Sequence, residues 1–138
     1  MSARERGFTL LELAAVVSII TILASIAVPT YAAQRRQAKD GVLHIALTSL
    51  ELGVETYAKA HEDGLYPAEA TRESLAGYLD RWPQDPYSRG PLSVGTAVGQ
   101  YEYAVSEDRQ TFTVTVHTSA GDFSLPSGYP MPSPAVSP

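Results

Sequence analysis

The hydrophobic residues of this 138-residue chain fall into three patterns, each of which predicts a different element. From Phe8 to Val28 twenty-one positions are mostly Leu, Ile, Val and Ala. As a helix they would extend roughly 31 Å at about 1.5 Å per residue, which matches the hydrocarbon core of a bilayer. Beyond Pro29 the pattern stays helical but becomes one-sided: Ala38, Val42, Ile45, Ala46, Ser49, Leu50, Gly53, Val54 and Tyr57 recur at steps of three and four. A helix from Phe8 to about His61 would be on the order of 80 Å long, too long for the small domain that remains to cover. Its first half must be buried by lipid or by other copies of itself. Pro29 removes one backbone hydrogen bond and predicts either a bend or a helix end. Gly41 and Gly53 each lower helix propensity by up to about 1 kcal/mol relative to Ala, so they either permit close packing or are tolerated.

The third pattern is alternation. After a Gly-, Pro- and acid-rich stretch from Glu62 to Val98, with one short helical candidate over Thr71 to Leu79 N-capped by Thr71, come "QYEYAV" (100–105) and "TFTVTVH" (111–117). Tyr101, Tyr103 and Val105 are predicted on one face and Phe112, Val114 and Val116 on another, as in a half-buried antiparallel hairpin. "DFSL" at Asp122 to Leu125 supplies a third strand. The expected fold is α+β, with about three antiparallel strands packed on the C-terminal half of a long N-terminal helix whose first half spans a membrane. The expected segments are 1–7 (a leader), 8–29 (transmembrane), 30–61 (amphipathic continuation), 62–125 (loop and sheet) and 126–138, a Pro- and Ser-rich tail without regular structure.

Composition narrows the function classes. The formal net charge is -5, and the part after Gln34 carries eight Lys or Arg against thirteen Asp or Glu, which argues against nucleic-acid binding by the monomer. There are no cysteines, so disulfides, thiol nucleophiles and cysteine-ligated metals are excluded, and without asparagine there is no N-glycosylation acceptor. His44, His61 and His117 show no ligand spacing, and they read as packing or surface residues. No phosphate loop, nucleophile elbow or carboxylate pair with a base is present, so no catalytic residue is assigned and the chain does not read as an enzyme.

One acid, Glu12, interrupts the apolar run. Such an acid costs on the order of 3 kcal/mol at a membrane centre and less toward the ends, and intramembrane acids are usually paired. Arg4 and Arg6 lie two helical turns away, beyond the i, i+3 and i, i+4 spacings that meet. The basic start and the small residues Ser25-Ile26-Ala27 also suit a cleaved secretory signal, although an acid near the start of the apolar region weakens that reading. A cut after Gly7 would give Phe8 a free α-amino group four residues from Glu12. Charge counting leaves orientation open, because Arg35, Arg36 and Lys39 on the far flank compete with Arg4, Arg6 and the amino terminus.

The stretch Arg6-Gly7-Phe8-Thr9-Leu10-Leu11-Glu12, the apolar span behind it and Pro29 resemble the processing site and first helix of type IV pilins and type II secretion pseudopilins. The resemblance implies cleavage between Gly7 and Phe8 and N-methylation of Phe8 by a prepilin peptidase/methylase. It also implies assembly through Phe8 and Glu12, and a helix kink at Pro29. The implied partners are other copies of the chain or minor pilins, an inner-membrane assembly platform and the membrane itself. The implied location is the inner membrane, crossed once with the N-terminus cytoplasmic, and then an extracytoplasmic filament. A pilus subunit and a secretion pseudopilin remain rival readings, and a ligand-binding module with an ordinary signal peptide or anchor is the alternative from another class. Trp82-Pro83-Gln84-Asp85-Pro86-Tyr87 and Gly90-Pro91 resemble the Pro-x-Asp-Pro-Trp-Gly-x-Pro stretch of the major secretion pseudopilin, with Tyr87 where Trp is usual. Gly64-Leu65-Tyr66-Pro67 is similar to its Tyr-Pro. That family's acidic calcium loop is missing. No cofactor or metal is assigned, calcium being an alternative for the oxygens between Asp80 and Asp85.

Overall fold

The computed structural model describes residues 7–127; Arg4 and Arg6 of the expected leader and most of the expected tail lie outside the described residues. The helix α1 runs Leu10–Ala60, followed by β1 Tyr101–Val105, β2 Phe112–Thr118 and β3 Gly121–Pro126. The chain divides into two compact units, one up to Arg36 and one from Gln37.

In the first unit α1 continues through Pro29, so the expectation of a helix end there is corrected. Only one backbone bond is forfeited at a proline, and the helix resumes at once. The hydroxyls of Ser18, Thr21 and Thr30 donate to the carbonyls of Ala14, Val17 and Ile26 at 2.7–2.9 Å. These polar side chains therefore satisfy themselves inside the apolar run and need no outside partner.

In the second unit the helix turns Leu43, Leu47, Leu50 and Val54 into the core, each with no exposed surface. Those four lie at i, i+4, i+7 and i+11; Leu50 and Val54 belong to the predicted stripe, while Leu43 and Leu47 shift the buried face to one side of it. Val42 and Ile45, expected in the buried stripe, are instead 47 % and 69 % exposed. Gly53 is buried because Leu79 packs against it, and a Cβ there would lie 2.7 Å from Leu79 Cγ. Nothing lies within 4 Å of where a Cβ would stand at Gly41. Of the two readings for these glycines, close packing holds at Gly53 and tolerance at Gly41.

The sheet has the order β1-β2-β3 and is antiparallel throughout. Tyr101 pairs with Val116, Tyr103 with Val114 and Val105 with Phe112, so the two triplets expected on different faces share one face. Directly opposed residues of an antiparallel pair always do. Tyr101, Phe112, Val114, Val116 and Leu125 join the helical stripe in a single core with Ala70, Leu75 and Leu92. At about 1.5–3 kcal/mol for each fully buried large apolar side chain, this core is the main source of stability.

The segment between α1 and β1 has no regular element, yet it is pinned to the sheet. Tyr103 Oη donates to the Pro67 carbonyl at 2.8 Å, Tyr101 Oη donates to that of Ala70, and Tyr66 stacks edge-on against Phe112 at 4.6 Å. The expected helix at Thr71 to Leu79 is not formed. Thr71 Oγ1 does accept from Ser74 N at 3.2 Å as a cap should, but only turns follow. Gly77, with φ +89°, takes a left-handed backbone that stops propagation.

A polar lock ties three segments of the second unit together. Asp40 is 8 % exposed; its Oδ1 accepts from Tyr87 Oη at 2.6 Å and from Ser119 N at 3.1 Å, and its Oδ2 accepts from Ser119 Oγ at 2.6 Å. Burial pushes its carboxyl up, but the bonds from Ser119 and Tyr87 outweigh that, and the group is held below its ordinary value.

Candidate assembly site at the helix start

Gly7, Phe8 and Thr9 precede α1 without regular structure, and Phe8 is 78 % exposed. The first backbone bond of the helix runs from Leu13 N to Thr9 O at 3.2 Å, which makes Thr9 the N-cap and Glu12 the third helical residue. Thr9 and Glu12 satisfy one another. Glu12 N donates to Thr9 Oγ1 at 3.2 Å, while Thr9 N and Thr9 Oγ1 donate to Glu12 Oε2 at 3.3 and 3.2 Å. This is a capping box, in which two orphan donors of the first turn are satisfied reciprocally. The helix dipole adds to it, since a carboxylate in the first turn faces the positive end.

Thr9, to which the sequence patterns assigned no role, completes this candidate site as the helix cap. Its signal was present as Thr-x-x-Glu ahead of an apolar run. The structure thus gathers Phe8, Thr9 and Glu12 at one helix end, beside Gly7. Pro29 stands apart, inside the helix. Phe8 occupies the position before the cap and Leu13 the fourth helical position, the two places from which a hydrophobic staple fixes the entry angle of a chain.

Behind the site the helix is long and apolar enough to cross a membrane by length and composition, and no residue of its most apolar window is buried within the chain. The core helix of a soluble protein would be mostly covered. Leu10 and Leu11 are more than 80 % exposed, and the run continues through Ile20 and Leu23 to Val28. Such a surface in water is unfavourable at about 25 cal/mol per Å², so it requires lipid or protein around it.

In the loop where calcium stood as an alternative, the Asp85 carboxylate is engaged by the loop's own backbone. Asp85 is buried, its Oδ1 accepts from Tyr87 N at 2.8 Å and its Oδ2 from Ser88 N at 3.1 Å. Among the described residues no group of three or more His, Asp or Glu is placed to hold a metal ion. The histidines pack: His44 stacks on Phe123 at 4.4 Å and His61 on Tyr57 at 4.0 Å, and His117 lies 2.7 Å from Asp122 Oδ1.

Residues 2–28 match the family described as "Prokaryotic N-terminal methylation motif". The chain is 33 % identical over 97 residues to the type II secretion system core protein G of Klebsiella michiganensis, covering 60 % of this chain and 68 % of that one. It belongs to the pilin and pseudopilin family. Core protein G of Dickeya chrysanthemi is 32 % identical over 101 residues, covering 63 % of this pseudopilin-family chain and 66 % of the relative. The type IV major pilin protein PilE of Neisseria gonorrhoeae is 27 % identical over 119 residues, covering 86 % of this chain and 60 % of the pilin. The chain thus spans 60 % to 68 % of the length of these relatives. No solved structure gives a significant match.

Proposed function

We propose that this chain is the structural subunit of a secretion-type pseudopilus, made as a membrane-anchored precursor and polymerised through α1. The observation that carries the reading is a capped apolar helix with no cover of its own, in a chain whose relatives at 30 % identity or more are named for type II secretion. Those relatives bear the names of filament or secretion components, and none bears that of an enzyme.

In this reading residues 1–7 are a leader on the cytoplasmic face, 8–29 the membrane and assembly helix, and the second unit lies outside the inner membrane. A prepilin peptidase hydrolyses the Gly7–Phe8 bond, and methylation follows at the new amino group. The cut turns the Phe8 amide into an ammonium beside an acid that already caps the helix. Glu12 then has two tasks. One oxygen holds Thr9 within its own subunit; the other is available to the Phe8 ammonium of a neighbour docked in register. Each charge is expensive alone in lipid, and their attraction is large only where the dielectric is low, which favours the correct register over others. An assembly platform in the inner membrane and minor subunits complete the set of partners.

Intact-mass measurement on protein from the membrane fraction tests the processing step. Loss of residues 1–7 with one added methyl group is expected; a mature start at Val28 or Ala33 would overturn the reading in favour of a secreted module.

A further inference from the structure

Two hollows of different chemistry lie side by side on the second unit. The first, of about 390 Å³, is lined by Arg72, Arg81 and Arg89 with Trp82, Gln84 and Pro91. The three guanidinium groups have no hydrogen-bond or ion-pair partner among the described residues. The only acid between Arg81 and Pro91, Asp85, cannot neutralise them, because it is buried with both carboxylate oxygens held by the backbone N–H groups of Tyr87 and Ser88. Like charges around one depression repel, so the site favours an anion.

The second hollow, of about 480 Å³, is lined by Val42, Ile45, Ala46 and Pro83, and it shares Arg81, Trp82 and Gln84 with the first. Val42 and Ile45 are the residues of α1 that the sheet leaves exposed there. Trp82 is fixed at the junction by its Nε1, which donates to the Leu92 carbonyl at 2.9 Å. Cationic and apolar surface are therefore contiguous and meet at one indole ring.

We propose that the paired hollows bind an anionic phospholipid, with its phosphate among the three arginines and the start of an acyl chain along Trp82, Val42 and Ile45. The proposal rests on the membrane-anchored reading of the chain and deepens it. A bare anion would account for the arginines and leave the apolar hollow without a role, and a neutral apolar ligand would do the reverse. A phospholipid carries both groups in one molecule, a short linker apart. Guanidinium groups suit phosphate because each can donate two parallel hydrogen bonds to its oxygens. Exposed ion pairs alone bind weakly, and the apolar hollow supplies the water-excluding half of the contact. Charge also confines the contact to this place. With the three arginines set aside, thirteen Asp or Glu face only five Lys or Arg in the part after Gln34, so the remaining surface repels an anionic headgroup. An anchored chain has lipid within reach at all times, which raises the effective concentration of this ligand above that of any soluble one. A bound lipid gives the second unit a hold on the membrane surface that does not depend on the apolar run.

Trp82 is the only tryptophan of the chain and lines both hollows, so its fluorescence reports on this site alone. The test titrates the full-length chain, in micelles of a neutral detergent, with short-chain phosphatidic acid, with phosphatidylcholine of the same chain length and with inorganic phosphate. A saturable blue shift of Trp82 emission is expected with phosphatidic acid, at a midpoint at least tenfold below those of both other ligands. Arg81→Gln with Arg89→Asn removes two charges, and asparagine suits the left-handed backbone at position 89, where φ is 62°. This double variant should bind phosphatidic acid at least tenfold more weakly, with an unchanged circular dichroism spectrum. A smaller gap to phosphatidylcholine would make the site merely apolar, and a smaller gap to inorganic phosphate would make it a bare anion site. Either result, no response at all, or an unchanged response in the double variant would overturn the proposal. Should the double variant fail to fold, the order of the three ligands on the unaltered chain decides alone. The titration needs neither cleavage nor filaments, so its failure leaves the filament role standing, and a mature start at Val28 would sink that role without touching a lipid response measured here.

Discussion

Removing the Asp40 carboxylate should cost the second unit more stability than any other single polar change in it. In a fragment starting at Ala33, which leaves out most of the apolar helix and should fold as a soluble acidic monomer, Asp40→Ala withdraws the acceptor of three hydrogen bonds at 2.6–3.1 Å. Bonds to a charged group are worth about 1.5–3 kcal/mol each, they do not add fully, and the donors at Tyr87 and Ser119 recover part of the loss from water. About 3 kcal/mol is expected for Asp40→Ala and about half of that for Asp40→Asn, which keeps one acceptor oxygen. With a urea slope of roughly 1.5 kcal/mol/M for a domain of this size, the alanine midpoint should fall by roughly 2 M. The pH dependence gives a second reading. Because the folded carboxyl lies below its ordinary value of 3.8, the unfolded chain takes up the proton first and stability rises with pH through that interval. The advantage of the parent over Asp40→Asn is therefore fully present above about pH 4–5 and is lost as pH falls through the folded value. An alanine variant within about 0.5 kcal/mol of the parent, or an advantage over Asp40→Asn that does not shrink in acid, would refute the lock.

Glu12→Gln keeps the capping box, since glutamine also serves at that position, and removes only the charge; it should be inserted and cut normally yet enter filaments at least tenfold less, and assembly equal to the parent at equal expression would leave Glu12 a helix cap and nothing more. Gly41→Ala should stabilise the Ala33 fragment by up to about 1 kcal/mol, whereas Gly53→Ala should destabilise it by roughly 1 kcal/mol or more through Leu79; urea melts that move in the same direction would contradict the packing. Burial pushes the phenols of Tyr101 and Tyr103 up to about 12, so stability is expected to fall as pH rises above about 10, where the unfolded tyrosines lose their protons first. Absorbance at about 295 nm should show these two ionising last, and a single tyrosine transition near pH 10 with the fold intact would count against their burial.

Periodicity made the regular elements readable in advance. The helix and all three strands stand within a residue or two of where the step of 3.6 and the step of 2 put them, because both patterns record which side of an element is buried. What periodicity does not record is the partner. Val42 and Ile45 satisfy the helical repeat as well as Leu43 and Leu47 do, and only the position of the sheet decides which face is covered. The segment from Glu62 to Val98 has no repeat, so its attachment through the Pro67 and Ala70 carbonyls was invisible: a carbonyl acceptor leaves no mark on residue type. At the helix start the acid was visible as an anomaly, and its pairing with Thr9 was readable from spacing alone. The Asp40 lock spans 79 residues to Ser119, and nothing local in either neighbourhood announces it.

That separation governs the order in which the second unit can form. The stripe of Leu43, Leu47, Leu50 and Val54 is covered by Ala70, Leu75 and Leu92 and by the sheet, and within that core Leu125 and the turn at Ser119 come last in the chain. A helical segment of two dozen residues is marginal in water without tertiary support, and contacts this distant in sequence form slowly because loop closure must precede them. During synthesis the packing of the segment from Gln37 is therefore expected to be completed only once β3 has emerged. A chain cut short before Gly121 would lack Leu125 and the strand that pairs with β2, so the loss falls on the sheet's edge and on the core together.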